Sequence, residues 1–408
     1  MRAGAPLGEA RDGVLSDLAE RDRRLAYELS AGVLRRQSEL DRALDLSHAD
    51  PRILDVLRLG AYQLRCLTRV PRHAAVSTSV ELARETAGEG PARFVNYALR
   101  KLGTGYRVPG TGSTHPEWLV RRWEARFGAA ETQQLLTWND TKPSLTLQPA
   151  RWNRDTLADK LAEAGIGASD APFEAGLRIN RIPGTRYPIP NSLPGFTEGA
   201  FIIQDPAHAL VARFAAIPAG AVVYDACAAP GGKAVALEGM GAKVLAGDAR
   251  RDRLPRLRDT ARRAGVAIRC LAADLEAAPF GLGRLDAVLV DAPCSATGTM
   301  ARHPDARWRL TPELFPRAAA RQARLLAAAA RLVRTGGVLI YATCSLEPEE
   351  NGAVVDDFLS QHPDFARAPA AGAVPAELVT AAGDFQSLPQ RHGIDGAYAA
   401  RLVRERGA

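Results

Sequence analysis

The sequence predicts a multidomain protein in which an all-α bundle and a small α+β subdomain precede a doubly wound α/β domain. With 408 residues, the chain is too long for one ordinary core. Apolar residues recur at helical spacing as far as about residue 105, whereas beyond about residue 200 short apolar runs alternate with helix-length segments. We therefore expect domains at residues 1–110, 111–199 and 200–408.

The first domain is predicted to contain four helices. The apolar residues that share one face of its first helix are Leu25, Leu29, Val33, Leu40 and Leu44. Pro51 begins the second helix, in a first turn that tolerates proline. A basic cluster between the second and third helices consists of Arg65, Arg69, Arg72 and His73. This cluster either binds phosphate groups or is an ordinary solvated surface.

The second domain is predicted to begin with a helical stretch. A linker at residues 109–114 precedes it, and Trp118, Leu119, Trp123 and Phe127 lie at helical spacing, as in a core stripe. A strand-like segment at residues 144–150 and a helix near residues 156–164 follow. These elements predict the small α+β subdomain.

Composition limits the function classes. A formal charge of +7 and a pI of about 9.4 favour an anionic partner such as nucleic acid. The five cysteines form no CxxC pair, which argues against a disulfide framework or a metal site and favours free thiols in a reducing cytoplasm. An apolar signal core and an apolar run of about 18 residues are both missing, so neither secretion nor membrane spanning is expected.

The third domain carries acidic residues where its predicted strands end. The five strand-like runs are residues 222–224, 243–246, 267–272, 285–290 and 338–341. Asp225, Asp248, Asp274 and Asp291 follow the first four runs. Open α/β sheets bind ligands at the carboxyl ends of their strands, so these acids are candidate site residues.

The turn after the first of these strands suits a nucleoside cofactor. Pro230 and Gly231 fit positions i+1 and i+2 of a type II turn, and the helix that begins near Lys233 offers free amides to an anionic group. The pattern is not GxGxxG, so a nucleoside cofactor is favoured over a dinucleotide. Asp248 is placed to accept ribose hydroxyls and Asp274 to meet the adenine amine.

Two cysteines reach the same predicted rim of the sheet. Cys294 lies three residues beyond Asp291, and Cys344 follows the fifth strand. Spacing alone does not decide which of the two is a nucleophile.

Four motifs of the third domain, DACAAPGGK, DAPCSATG, RHPDARW and ATCSLEPEEN, together resemble the RNA 5-methylcytosine methyltransferases. With the NusB-like segments AYQLRCLTRVPRHAAVSTSVELAR and FVNYALRKL, the chain resembles the RsmB (Sun/Fmu) family, whose substrate is 16S rRNA. Gln148 and Pro149 depart from the arginine and asparagine usual in the family, as do Ala234, Thr260 and Ala397 at other motif positions.

The resemblance implies S-adenosylmethionine as the cofactor. The residues it implies for cofactor binding are Cys227, Ala228, Ala229, Pro230, Gly231, Gly232, Lys233, Asp248, Asp274 and Asp291. It also implies Cys344 as the nucleophile and Cys294 as the residue that assists product release.

The chemistry of cytosine methylation gives both thiols a purpose. C5 of cytosine is a poor nucleophile until a thiolate adds at C6, and a carboxyl group at N3, for which Asp291 is placed, assists that addition. A second thiol or a water can help the protein to detach. The base must be single-stranded or flipped to be reached, and Arg302, His303, Asp305, Arg307 and Trp308 are expected to grip the neighbouring RNA or to form a structural lid.

The leading expectation is therefore a monomeric, cytoplasmic cytosine-C5 methyltransferase of 16S rRNA that requires no metal. One alternative is a tRNA cytosine-C5 methyltransferase. The other is a non-catalytic RNA-binding assembly factor that retains the methyltransferase fold.

Overall fold

The computed structural model describes residues 17–44, 49–103, 113–182 and 190–405, together with residues 7, 14, 15 and 46. Most of the predicted linker at residues 109–114 lies outside the described residues. The chain forms two compact units. We call Met1–Lys142 with Met300–Leu310 the N-terminal unit, and Pro143–Thr299 with Thr311–Ala408 the C-terminal unit.

The N-terminal unit is helical, as predicted. In the described residues before Met300, its α-helices are α1 (Glu20–Leu44), α2 (Leu54–Cys66), α3 (Arg72–Ala87), α4 (Glu89–Gly103), α5 (Glu117–Phe127) and α6 (Ala129–Asp140). Asp50 caps the short 3-10 turn Pro51–Ile53 that leads into α2, because its side chain accepts a hydrogen bond from the backbone amide of Arg52. Helices α1 to α4 form one core, in which Leu40, Leu57 and Val95 are fully buried.

The predicted helical stretch after residue 113 forms two helices. Gly128, with φ of +78°, separates α5 from α6, because this left-handed conformation favours glycine and cannot continue a helix. Leu119 and Trp123 have no exposed surface, so the predicted core stripe is confirmed for these two residues.

A short segment from the third predicted domain completes the N-terminal unit. Met300–Leu310, which contains helix α11 (Ala306–Arg309), packs with the first helices. The buried guanidinium of Arg307 donates to Asp140 over 2.8 Å and to the carbonyl oxygen of Asn139 over 2.9 Å. The indole of Trp308 donates to the carbonyl oxygen of Leu34 over 2.7 Å.

The expectation that this segment grips RNA is therefore wrong for three of its residues. The guanidinium of Arg307 and the indole of Trp308 donate hydrogen bonds to groups inside the N-terminal unit. The buried Asp305 pairs with Arg309 over 3.0 Å. These side chains stabilise the fold.

The C-terminal unit begins with a small antiparallel sheet. Its strands are β1 (Thr146–Pro149), β2 (Gly167–Asp170), β3 (Leu177–Arg181) and β4 (Phe201–Ile203), in the order β2-β3-β1-β4, and helix α7 (Arg154–Glu163) packs on them. Gln148 on β1 donates to the carbonyl oxygen of Ala175 over 2.8 Å, so its amide helps to hold the subdomain together. The predicted α+β subdomain is confirmed, and its last strand lies beyond residue 199.

The large sheet follows. Its strands are β5 (Val222–Asp225), β6 (Lys243–Asp248), β7 (Arg269–Ala272), β8 (Leu285–Asp291), β9 (Val333–Thr343), β10 (Phe365–Arg367), β11 (Phe385–Ser387) and β12 (Ala397–Arg404). The order is β10-β12-β9-β8-β5-β6-β7, and β11 pairs with β12. The first five strands are parallel, as predicted, whereas β10, β11 and β12 are antiparallel additions that the sequence did not predict.

Helices cover both faces of this sheet. They are α8 (Pro206–Phe214), α9 (Gly232–Gly239), α10 (Leu254–Ala264), α12 (Leu314–Ala330), α13 (Gly352–Gln361) and α14 (Pro389–His392). Separate apolar clusters fill the two sides, which is why the parallel strands read as continuous apolar runs. From the central strand β5 the chain proceeds to β6 and β7 on one side and then to β8 and β9 on the other. The sheet therefore has a topological switch point between β5 and β8.

None of the helices in the described residues combines the length and the apolar character that a membrane span requires.

Candidate active site

The two cysteines of the predicted site lie together at the switch-point end of the sheet. The Sγ atoms of Cys294 and Cys344 are 3.2 Å apart, and both residues are half-buried. The hydrogen bond to Cys344, burial and the negative charge of Glu350 raise the pKa of the Cys294 thiol well above its usual value. Cys294 therefore favours its protonated form, and either sulfur can be the donor of the pair.

A buried polar network holds the loops of both cysteines. Glu350 has no exposed surface, and its carboxylate accepts hydrogen bonds from the hydroxyl groups of Ser295 and Ser345. It also accepts from the backbone amide of Ser295 over 2.9 Å and from the side-chain amide of Gln322 over 3.1 Å.

Asp291 lies beside a buried lysine. The ammonium group of Lys233, in the first turn of α9, donates to Asp291 over 2.6 Å and to Nδ1 of His208 over 3.0 Å. Lys233 is 8% exposed and Asp291 31% exposed, so the ion pair is largely sheltered while the carboxylate remains accessible. Lys233 thus forms an ion pair with Asp291, whereas the sequence analysis assigned Lys233 to the turn that binds the cofactor.

One position of the predicted turn after β5 has the expected backbone. Gly231 has φ of 109° and ψ of 3°, which suits position i+2 of a type II turn, whereas the cis peptide bond Ala229–Pro230 was not predicted. A Cβ atom on Gly231 would lie 2.7 Å from a methyl group of Leu257, and one on Gly232 would lie 2.8 Å from the side-chain amide nitrogen of Gln204. The two glycines therefore provide conformational freedom and space that other residues would remove.

Two ionisable groups at this turn are strongly perturbed. Burial, with the nearby charge of Asp291, raises the pKa of Asp225 to about 7. The backbone amide of Cys227 approaches Asp225, but neither carboxylate oxygen has a hydrogen bond of normal geometry in the described residues. Burial and the neighbouring carboxylates raise the pKa of Cys227 to about 12, which makes this thiol a poor nucleophile.

The remaining predicted acids lie at the ends of the next two strands. Asp248 ends β6 and accepts the backbone amide of Arg250 over 2.8 Å. Asp274 lies two residues beyond β7, where it caps a 3-10 turn by accepting the backbone amide of Glu276 over 3.0 Å. Asp274 is exposed and remains accessible to a ligand.

These features fit S-adenosylmethionine. The buried carboxylate oxygens of Asp225 have no hydrogen bond of normal geometry in the described residues, and the first turn of α9 offers backbone amides to a ligand. Carboxylates at successive strand ends suit ribose hydroxyls and an adenine amine. In the described residues, no group of three or more histidine, cysteine or acidic side chains is placed to hold a metal ion.

Three family models match consecutive parts of the chain. The NusB family matches residues 3–103, a ferredoxin-like domain of RsmF/B-like methyltransferases matches residues 115–183, and the 16S rRNA methyltransferase RsmB/F family matches residues 216–403. The chain is 34% identical to the probable ribosomal RNA small subunit methyltransferase B of Synechocystis sp. over 95% of its length and 92% of that protein. It is 33% identical to ribosomal RNA small subunit methyltransferase B of Pseudomonas putida over 98% of its length and 94% of that protein. The chain belongs to the RsmB/F family.

Two solved structures share the fold of this chain. The crystal structure of PH0851 has a TM-score of 0.80 at 25% identity and covers 95% of this RsmB/F chain and 91% of its own. The structure of NSun6 from Pyrococcus horikoshii with SFG has a TM-score of 0.63 at 19% identity and covers 72% of this chain and 99% of its own. This likeness is one of fold. Family membership confirms the predicted fold class, the prediction of an rRNA methyltransferase and that of S-adenosylmethionine as cofactor.

Some residues of this site were not predicted from the sequence. His208 and Glu350 were not proposed as site residues, because their contacts with Lys233 and Ser295 are tertiary. Two signals were available: His208 lies in the alanine-rich helix α8, and Glu350 is the third glutamate after Thr-Cys-Ser.

Proposed function

We propose that this RsmB/F protein methylates C5 of one cytosine in 16S rRNA through a temporary bond between Cys344 and C6 of the base. The single observation that carries the proposal is the pair of thiols 3.2 Å apart at the switch point of the sheet. A two-thiol site suits a reaction in which one sulfur must add to the base and a second group must help to release it.

The state of Cys294 supports the division of roles. Its pKa is raised well above the usual value, so it remains a thiol, which can donate to the Cys344 sulfur 3.2 Å away. A protonated thiol suits proton transfer better than nucleophilic attack. We therefore assign nucleophilic attack to Cys344, and proton transfer or product release to Cys294.

Asp291 is proposed to activate the base. Its accessible carboxyl group would hydrogen-bond N3 and the 4-amino group of cytosine, which withdraws electrons from C6. Lys233, at 2.6 Å, holds this carboxylate at the strand end. Asp248, Asp274 and the turn from Cys227 to Lys233 are proposed to bind the cofactor.

The proposed reaction balances as follows. The Cys344 sulfur forms a bond to C6 as its S–H bond breaks, N3 takes up that proton by way of Asp291, and C5 gains nucleophilic character. S-adenosylmethionine, when bound, would supply an electrophilic methyl group. C5 would form a bond to this methyl group as the methyl–sulfonium bond breaks, which leaves S-adenosylhomocysteine, and N3 would give up its proton. A base would then remove the C5 proton, and the sulfur–C6 bond would break to restore the aromatic ring and free the Cys344 sulfur. Cys294 or a water molecule is placed to take part in the last two events.

The domain division and the cellular setting belong to the same proposal. We propose that residues 1–110 and 111–199 deliver 16S rRNA, as a single-stranded or flipped cytosine, to the catalytic residues 200–408 of a monomer. A reducing cytoplasm would keep the two close thiols from forming a disulfide.

Two cysteine variants test the reaction. Cys344→Ala should abolish methylation, because no sulfur remains to add at C6. Cys294→Ala should form the bond but release it slowly, so a protein–RNA adduct should accumulate. Incubation with labelled S-adenosylmethionine and small-subunit rRNA, followed by denaturing electrophoresis and nucleoside mass spectrometry, measures both results.

Cys270→Ala is the matched control, because it removes a half-buried thiol on β7 outside the pair. It should leave turnover unchanged. Methylation by Cys344→Ala at the wild-type rate would reverse the assignment of the two cysteines, and label on a base other than cytosine would refute C5 chemistry.

A further inference from the structure

Glu350 lies between the two cysteine loops and helix α13. It ends the short 3-10 turn Pro348–Glu350 and has no exposed surface. Its carboxylate receives two hydroxyl groups and two amide groups, and its own backbone carbonyl oxygen accepts the hydroxyl of Tyr341 over 2.6 Å. A buried carboxylate that is bonded on both oxygens is fixed in place, because losing any donor would leave it uncompensated.

The two serines that donate to Glu350 are each the next residue after one of the two cysteines. Ser295 directly follows Cys294, and Ser345 directly follows Cys344. The two hydroxyl oxygens are also 3.0 Å from each other. One carboxylate thus joins the loops of β8 and β9 at the positions next to the two sulfur atoms.

A second support comes from helix α12. The side-chain amide of Gln322, which is fully buried, donates to Glu350 over 3.1 Å and to the carbonyl oxygen of Pro293 over 3.0 Å. The residue before Cys294 and the residue after it are therefore both tied to the same buried network. This arrangement restrains the loop on both sides of the thiol.

We infer that Glu350 is a positioning residue, whose buried carboxylate fixes Ser295 to Ser345 and thereby sets the separation of the Cys294 and Cys344 thiols. Its consequence for catalysis rests on the proposed function. Its consequence for thiol geometry does not, because the hydrogen bonds are present in the protein alone.

The charge of Glu350 acts in the same direction as its contacts. After the hydrogen bond to Cys344 and burial, it contributes to raising the pKa of Cys294. The carboxylate therefore favours the protonated form of Cys294. A neutral residue at this position would remove both the anchor and this electrostatic effect.

Glu350→Gln is the variant that tests the inference. Glutamine has nearly the same shape, but it carries no charge, and its amide nitrogen would face the hydroxyl groups of Ser295 and Ser345, which would both have to turn from donating to accepting. We expect kcat for methylation to fall about 100-fold, as for a misplacement of about 1 Å, while KM for rRNA changes less than about twofold. The exposed Glu377 provides the control Glu377→Gln, which should retain wild-type values.

Phenylarsine oxide measures thiol separation without RNA. The reagent binds two close thiols, forming two arsenic–sulfur bonds and releasing one water, so its affinity depends on how well the sulfur atoms are held. We expect wild-type protein to bind one equivalent, Cys294→Ala to lose this binding, and Glu350→Gln to bind about tenfold more weakly, a difference of about 1.4 kcal/mol. Iodoacetamide should also modify Cys294 relative to Cys344 more readily in Glu350→Gln than in the wild type.

The outcomes separate this inference from the proposed function. Wild-type kcat together with wild-type arsenical affinity in Glu350→Gln would overturn the role of Glu350. Weakened arsenical binding in a protein that never forms a cytosine adduct would support Glu350 and overturn the covalent mechanism. Should Glu350→Gln fail to fold, Ser345→Ala is the second variant, because it keeps the carboxylate and its partner residues Ser295 and Gln322. It should weaken arsenical binding to a smaller extent, and an unchanged affinity in that variant would again overturn the inference.

Discussion

The carboxyl group of Asp225 lies at the end of the central strand β5, with 1% of the residue exposed. Desolvation disfavours its charged form, and Asp291 adds a like charge, whereas Lys233 acts in the opposite direction. The resulting pKa of about 7 means that this group binds a proton in the folded chain at pH values where the unfolded chain has lost it.

This difference predicts a pH-dependent stability. Because the folded pKa is raised, the contribution of Asp225 is fully present below its unfolded pKa, near 4, and is lost as pH rises through about 7. Asp225→Asn does not titrate. Its free energy of unfolding, relative to that of the wild type, should therefore increase by about 2 kcal/mol between about pH 5.5 and about pH 8. Urea unfolding at the two pH values measures this change.

Asp252→Asn is the control for that measurement. Asp252 is exposed, and its hydrogen bonds with Arg250 lower its pKa, so it stays ionised at both pH values. The difference in the free energy of unfolding between Asp252→Asn and the wild type should not change with pH. If the corresponding difference for Asp225→Asn were also independent of pH, Asp225 would not be a buried, protonated group.

At the scale of elements, the turn between β5 and α9 combines a special backbone with close packing. Gly231 adopts a left-handed φ of 109°, and the eight-residue helix α9 begins directly after it. We propose that this turn receives the cofactor, so its shape should govern cofactor affinity as well as stability.

Gly231→Ala should lower both the stability of the fold and the affinity for the cofactor. A Cβ at this φ is strained and would lie 2.7 Å from Leu257, so we expect a loss of about 1 kcal/mol or more in the free energy of unfolding. The Kd for S-adenosylhomocysteine should rise, because the backbone amides at the start of α9 shift. Urea unfolding and titration calorimetry measure the two effects.

Gly239→Ala is a matched control at the other end of α9. No atom lies within 4 Å of a Cβ placed there, and its φ is not left-handed, so alanine should be neutral or stabilising by up to about 1 kcal/mol. Equal cofactor affinity of the Gly231→Ala variant and the wild type would remove the turn from the proposed cofactor site.

The elements also show what the sequence could and could not predict. Asp291, Cys294 and Cys344 were found because each follows a continuous apolar run, which is a local signal for a buried strand and its end. Strand β12 was missed, because the alanine-rich run that begins at Ala397 has no clear period and its place beside β9 depends on tertiary pairing. Glu350 was missed for the same reason, since its partner Ser295 lies 55 residues away.

At the scale of the whole molecule, the chain passes from the C-terminal unit into the N-terminal unit at Met300 and returns after Leu310. The segment between these points was predicted to meet RNA because it is basic and aromatic. Its central side chain, Arg307, instead bonds with Asp140, which is 167 residues away in the sequence. Composition does not distinguish a surface arginine from one that is buried and paired.

Arg307→Met should therefore destabilise the N-terminal unit. The substitution introduces an apolar side chain and removes the arginine donor from Asp140, which still accepts the hydroxyl of Thr114, and from the carbonyl oxygen of Asn139. Breaking such a sheltered pair costs about 3 kcal/mol. Hydrogen exchange followed by mass spectrometry should show faster exchange in α1 and α6, which contain the partners of this segment. Arg93→Met, on the exposed side of α4, should leave exchange unchanged. Unaltered exchange in Arg307→Met would mean that Met300–Leu310 contributes little to this unit, and an RNA-binding role for its arginine would have to be reconsidered.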